Sequence, residues 1–212
     1  MFREEDGGVR EGGSAEDSTA RAVELLRHAV GYALGTAQPV TPALLHRPTP
    51  CAKWDLGRLM VHVDDSLAAL HEGVTEGTVA LHPAAPAPRA AARAPDPAAA
   101  FRLRAARLLG AWTAAGPGRV VVADAPLTAT ALALTGAVEI AVHGWDIGRA
   151  TGPPDRPIPA PLAARLLPVA RQLVPHEGAR HPLFAPRLPS APDAPPGDRL
   201  LAFLGRDPAY GR

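Results

Sequence analysis

The sequence predicts an all-α fold, a bundle of helices joined by long connections. Two observations carry that expectation. Apolar residues recur at helical spacing in several long segments, and clusters of Pro and Gly fall mainly between them. Strand-like alternation is scarce. With 212 residues the chain is long enough for one domain with a real core. Residues 1–15 are polar, acidic and Gly-rich, and are expected to form a disordered tail. Residues 16–212 are expected to form a single domain with a Pro-rich C-terminal extension.

The first helix is expected from Ala15 to about Thr36, with Val23, Leu26, Val30 and Leu34 on one stripe and Asp17 or Ser18 as cap. A Pro-punctuated connection follows. The second helix has the clearest pattern: Asp55 as N-cap, a stripe of Leu56, Leu59, Met60, Val63, Leu67 and Leu70, and Gly73 as closure. "HPAAPAPRAAARAPDP" reads as a Pro/Ala linker. The third helix is placed from Pro97 to Ala115. "GRVVVADAPLT" is compatible with either a short strand or an extended loop. The fourth helix spans about Thr128–Thr151 and stops at "TGPP"; a fifth, Ala160–Val174, is interrupted by Pro168. A short amphipathic helix is expected at 198–204. The long connections between the first three helices suit crossovers better than tight hairpins.

Composition excludes several function classes. The 22 basic and 21 acidic residues are interspersed and give a formal net charge of +1, so no basic stripe points to nucleic acid. The longest apolar stretch, "ALALTGAVEIAVHGW", is too short for a membrane span and carries Glu and His. No signal-like apolar region precedes the first helix, and Cys51 is the single cysteine, so a cytoplasmic protein without an internal disulfide is expected. Lys53 is the only lysine against many arginines, a bias of GC-rich coding.

One apolar segment carries a polar pair that needs an explanation. Glu139 and His143 are four apart in the fourth helix, on one face, amid Leu132, Leu134, Val138, Ile140, Val142 and Ile147. A core face holds such a pair only if an ion, a third side chain or water meets it. Exposed helices carry such pairs routinely; the apolar setting favours metal ligation, in which two or three His and a carboxylate leave one position open. Among the other histidines His62 is the strongest third ligand, at the margin of the Leu59/Met60/Val63 stripe, beside Ser66 and one turn beyond Arg58. His28 is weaker. His46, His71, His82, His176 and His181 fall in loops or at helix ends. Asp146, one turn past His143, is placed either to support that ring or to form a salt bridge at the surface; Asp146 or Asp65 is the acid/base candidate. Arg58, Arg149 and Arg102 are candidate anion-binding residues, though each reads more readily as a solvated helix charge. Trp145 reads as packing. Cys51 reads as a structural thiol, with no His paired to it in a nucleophile motif.

Three stretches taken together resemble a known family. "TPCAKWDLGRLMVHVDDS" is similar to the second-helix signature of the mycothiol-dependent maleylpyruvate isomerase superfamily, a branch of the DinB-like metal-binding bundles. "EIAVHGWDIGRATG" is similar to its fourth-helix signature, and "DRLLAFLGRDP" to the closing segment of its short actinobacterial members. Order and spacing agree over roughly residues 18–208. The resemblance implies a DinB-like four-helix bundle with a long crossover and short C-terminal helices. It also implies His62, Glu139 and His143 as metal ligands, the same trio that spacing favours. Zinc is the first-choice metal, with nickel or iron(II) next. The isomerases proper carry a further C-terminal α+β domain; the chain after Thr151 is short and Pro-rich, and that domain is expected to be missing, so substrate identity does not carry over.

Three functions compete at this point. One is a mycothiol-dependent isomerase or S-transferase acting on a small electrophilic molecule, with no nucleophile from the protein itself. Another is a thiol-independent, metal-assisted hydrolase. The last is a non-enzymatic bundle whose ion joins two helices. A homodimer is compatible with each, through the Ala-rich third helix or the tail helix.

Overall fold

In the computed structural model of the chain, residues 8–51, 54–79, 96–114, 118–122, 125–180 and 184–211 are described. The linker expected at 82–97, along with Lys53, His82 and His181, falls wholly or almost wholly outside them. The long helices are α1 (Gly8–Ala37), α2 (Leu56–Glu76), α3 (Pro97–Ala114) and α4 (Ala129–Thr151). Two shorter ones follow, α5 (Ala160–Leu173) and α6 (Pro196–Phe203). Short strands β1 (Thr78–Val79), β2 (Arg119–Val122) and β3 (Ala125–Thr128) lie between the second and fourth helices.

Helix α1 packs against α3 and α4, most extensively against α4, and α2 packs against the same two. Consecutive helices α1 and α2 therefore sit diagonally across the bundle, as do α3 and α4, which is why their connections are long. The core is Leu and Ala with few aromatics: Leu26, Leu56, Leu59, Met60, Leu67, Phe101, Leu108, Ile140 and Ile147 are all sealed from solvent.

Small residues bring the helices close. An added Cβ at Gly144 of α4 would stand 3.0 Å from both Cα and Cβ of Ala33 in α1, and one at Gly136 would stand 2.6 Å from Leu70 Cδ2 in α2. Glycine at those two places lets α4 lie against both neighbours at once. The stripe of α1 is accordingly turned from the expected one. Ala22, Ala29 and Ala33 are buried toward the interior beside Leu25, Leu26 and Val30, while Val23 and Leu34 are half-buried at its edge.

Several element ends differ from expectation. α1 begins at Gly8 rather than Ala15. α2 runs through Gly73 and closes at Gly77, whose φ of 70° is the left-handed cap conformation. Gly73 is instead a packing position: its missing side chain leaves room for Leu132, Val79 and Val120. Pro168 does not interrupt α5; it and Ala164 are exposed, so the carbonyl that loses its bond faces water. "GRVVVADAPLT" resolves as two strands, β2 pairing antiparallel with β3 from Arg119↔Thr128 to Val122↔Ala125 and parallel with β1. No helix among the described residues is long and apolar enough to cross a membrane.

Candidate metal centre

The loop between α1 and α2 sets the geometry of the site before any site residue is reached. The first amides of α2 are bonded by that loop: Leu56 N–H donates to the Arg47 carbonyl (2.9 Å) and Gly57 N–H to the Leu45 carbonyl (2.7 Å). Arg58 N–H donates to the Asp55 carboxylate (2.8 Å), the N-cap expected from sequence. At the other end of the site Arg47 donates to the Ala150 and Thr151 carbonyls of α4, neutralising the negative end of that helix. One loop thus holds the start of α2 against the end of α4. It also folds around the Thr49 hydroxyl, which donates to the Trp54 carbonyl (2.8 Å), and so lays the Trp54 ring over His62 at 4.4 Å between centroids.

Two turns into α2 and midway along α4 three side chains meet. His62 Nε2 is 2.7 Å from Glu139 Oε1, and His143 Nε2 is 3.3 Å from the same oxygen. The ligand atoms of the three residues all lie within 4.8 Å of one another, and among the described residues no fourth His, Cys, Asp or Glu joins the group. The Ser66 hydroxyl, one turn along α2, donates to Glu139 Oε1 (3.3 Å). His143 is buried at 7% exposure, whereas His62 and Glu139 keep 35% and 33%. The polar pair of α4 therefore faces a site that is closed behind and open to solvent on one side, rather than a sealed core.

Behind His143 stands Asp146, with no exposed surface at all. Its Oδ2 lies 2.9 Å from His143 Nδ1 and 3.2 Å from an Arg206 guanidinium nitrogen. An ionised carboxylate there accepts the Nδ1–H, which turns Nε2 toward Glu139 and His62. Burial alone would push the Glu139 carboxyl up; the charge and hydrogen bonds of His143 and His62 outweigh it and hold the group well below the ordinary carboxylate range. Burial likewise lowers His143, but the Glu139 and Asp146 carboxylates on its two sides push its pKa up to about 9. The donor set fits a divalent ion: two imidazole nitrogens and one carboxylate oxygen converge on one volume, with the ring of His143 fixed from behind.

The remaining sequence candidates lie apart from this group. Asp65 is exposed, one turn after His62. Arg58 is exposed one turn before it. Arg149 does not face the site as an anion-binding residue: it donates to the Tyr210 carbonyl (2.8 Å) and pairs with Asp155 (2.6 Å), tying the chain end to α4. Arg102 pairs with Asp96 on the surface at 3.7 Å. His28 is exposed beside Glu24 at 3.2 Å, far from a role as ligand. Trp145 is buried in the core. Cys51 is half-buried, and burial pushes its thiol pKa up. Sequence reasoning missed Trp54 and Arg206; their only signal was membership in the quoted motifs, since neither shares a helix face with the ligands.

The family model of the mycothiol maleylpyruvate isomerase N-terminal domain matches residues 26–148. The chain belongs to this family. The matched span holds His62, Glu139, His143 and Asp146, and ends before Arg206. The chain is also similar to two proteins of Mycobacterium tuberculosis, Uncharacterized protein MT0763 of strain CDC 1551 / Oshkosh and Uncharacterized protein Rv0738 of strain ATCC 25618 / H37Rv. Each is 32% identical over 164 residues, covering 75% of this chain and 83% of the relative. No solved structure matches the chain.

Proposed function

We propose that the chain binds one divalent metal ion through His62, Glu139 and His143, zinc first and nickel or iron(II) next, and uses it with mycothiol in an isomerase or S-transferase reaction on a small electrophilic molecule. The observation that carries this reading is the convergence of the two imidazole nitrogens on one carboxylate oxygen. Family membership supports the thiol.

A cation held by His62, Glu139 and His143 would supply Lewis acidity, enough to keep a thiol sulfur deprotonated at neutral pH. The side chains prepare for it. Glu139 supplies the negative charge, and its low pKa keeps it ionised. His62 and His143 present Nε2, and Asp146 accepts the Nδ1 proton of His143 so that the ring neither flips nor swings. Ser66 holds Glu139 by a hydrogen bond. The Trp54 ring lies against the His62 ring and limits how that ring can turn. Thiol and electrophile enter where His62 and Glu139 stay exposed. Mycothiol bound there would supply the nucleophile, and His62 and Glu139 would leave one side of the site open to an electrophile.

The competing readings have less support. A closed structural ion needs four protein donors, and the group offers three among the described residues. A hydrolase needs a base at the open side; of the two candidates, Asp146 has no exposed surface and Asp65 lies apart from the ligand group. Purified protein is expected to carry about one metal ion per chain, lost in Glu139→Gln, and to turn over an electrophile only when mycothiol is added. Equal rates with and without thiol reject the thiol reading; metal absent from the wild type rejects the site.

A further inference from the structure

The closing motif "FLGRDP" contributes a residue to the back of the site from outside the span shared with the family model. Helix α6 ends in a Schellman turn: Arg206 N–H donates to the Leu201 carbonyl (2.9 Å) and Gly205 N–H to the Ala202 carbonyl (3.1 Å). Gly205 has φ of 78°, and an added Cβ would stand 2.7 Å from Ala185 Cβ and 2.8 Å from the Ala185 carbonyl oxygen. Both dihedral and space require glycine. The turn reverses the chain and sends Arg206 back into the bundle, where its side chain is only 11% exposed. One guanidinium nitrogen reaches Asp146 Oδ2 at 3.2 Å and another reaches the Leu204 carbonyl at 3.3 Å.

Asp146 is fully buried, and a buried carboxylate persists only with a countercharge or several donors. His143 is neutral when it ligates a metal, donating one Nδ1–H. Arg206 is then the remaining cation against Asp146 among the described residues. Without it the carboxylate would lack a countercharge and be free to reorient, which releases the His143 ring.

We infer that Arg206 is a positioning residue for metal binding: delivered by the α6 turn, it holds the Asp146 carboxylate against His143 and thereby fixes that ligand from behind. The inference rests on the metal-binding reading above. It makes the C-terminal segment part of the site's construction, although no atom of Arg206 touches the proposed ligand volume.

The test is zinc affinity of the full chain, by competition with a chromogenic chelator, together with melting temperature without metal. Wild type, Arg206→Met, Asp146→Asn, the double variant and Arg206→Lys are compared. Arg206→Met and Asp146→Asn are each expected to weaken zinc binding by about 10- to 100-fold, the usual cost of losing a partner behind a ligand. The double variant is expected to bind no more weakly than the weaker single one, because both act through His143. A merely structural tie gives a different result: Arg206→Met melts earlier while binding zinc as the wild type does, which overturns the inference. Multiplying losses in the double variant overturn it as well. If Arg206→Met does not fold, Arg206→Lys carries the test; it keeps the charge but not the fork, and at least about a threefold loss of affinity is expected. Unchanged affinity there refutes the role of Arg206. Failure of the wild type to bind zinc refutes the metal site itself, a distinct outcome.

Discussion

At the scale of single residues the site alternates acidic and imidazole groups. Glu139 lies between two imidazoles, and His143 between two carboxylates. Without metal, the proton on His143 takes up the role a cation would otherwise have, which is why its pKa climbs to about 9 from an ordinary 6.5. The sign for stability follows. A raised His pKa contributes stability to the metal-free protein that is fully present below about 6.5 and is lost as pH rises through about 9. Metal binding runs the other way, since the ion must displace that proton. Apparent zinc affinity is therefore expected to rise by about tenfold per pH unit from about 7 and to level off near 9. A chelator-competition titration across that range checks it; a flat profile would mean that His143 is not the proton-bearing ligand.

At the scale of elements, the site depends on how closely α4 approaches α1 and α2. Gly144 meets the backbone of Ala33, which cannot move aside as a side-chain tip can. Gly144→Leu is expected to destabilise the fold by about 1–3 kcal/mol through overpacking. Gly31, exposed on α1 with nothing near its missing Cβ, gives the opposite expectation: Gly31→Ala stabilises by about 0.5–1 kcal/mol through helix propensity. Denaturant melts of the two variants measure both, and a Gly144→Leu variant as stable as the wild type would mean that α4 packs loosely against α1. The helix ends teach a related lesson. Gly73 carried a stop signal in sequence, yet the helix continues to Glu76, and Gly73 instead leaves room for Leu132, Val79 and Val120.

At the scale of the whole molecule, the three proposed ligands link two helices that touch in space but lie far apart in sequence. His62 belongs to α2 and the other two to α4, and the α1–α2 loop and the α6 turn each tie to α4 beside the site. An ion held there stabilises the folded state and has little to bind in the unfolded one. Zinc at about one hundred times its dissociation constant is expected to add about 2.7 kcal/mol. For a chain of this size that raises the melting temperature by roughly 5–10 °C, and Glu139→Gln should show no such shift. A melting curve indifferent to zinc in the wild type would remove the metal from the fold's stability altogether.

What the sequence determined by itself was local and periodic. The α2 stripe from Leu56 to Leu70, the Asp55 cap, and Glu139 and His143 on one face of α4 all follow from spacing along one chain segment, where neighbours in space are neighbours in number. His62 was legible because a polar residue at the edge of an apolar stripe stands out. The tertiary structure alone decided the rest. It turned the α1 stripe toward its alanines, paired β2 with β1 and β3, left the site open on the His62 side, and brought Trp54 and Arg206 to it from the loop and the chain end. Those outcomes depend on close approach between distant segments and on which buried charge needs a partner, and no periodicity within a single segment encodes either.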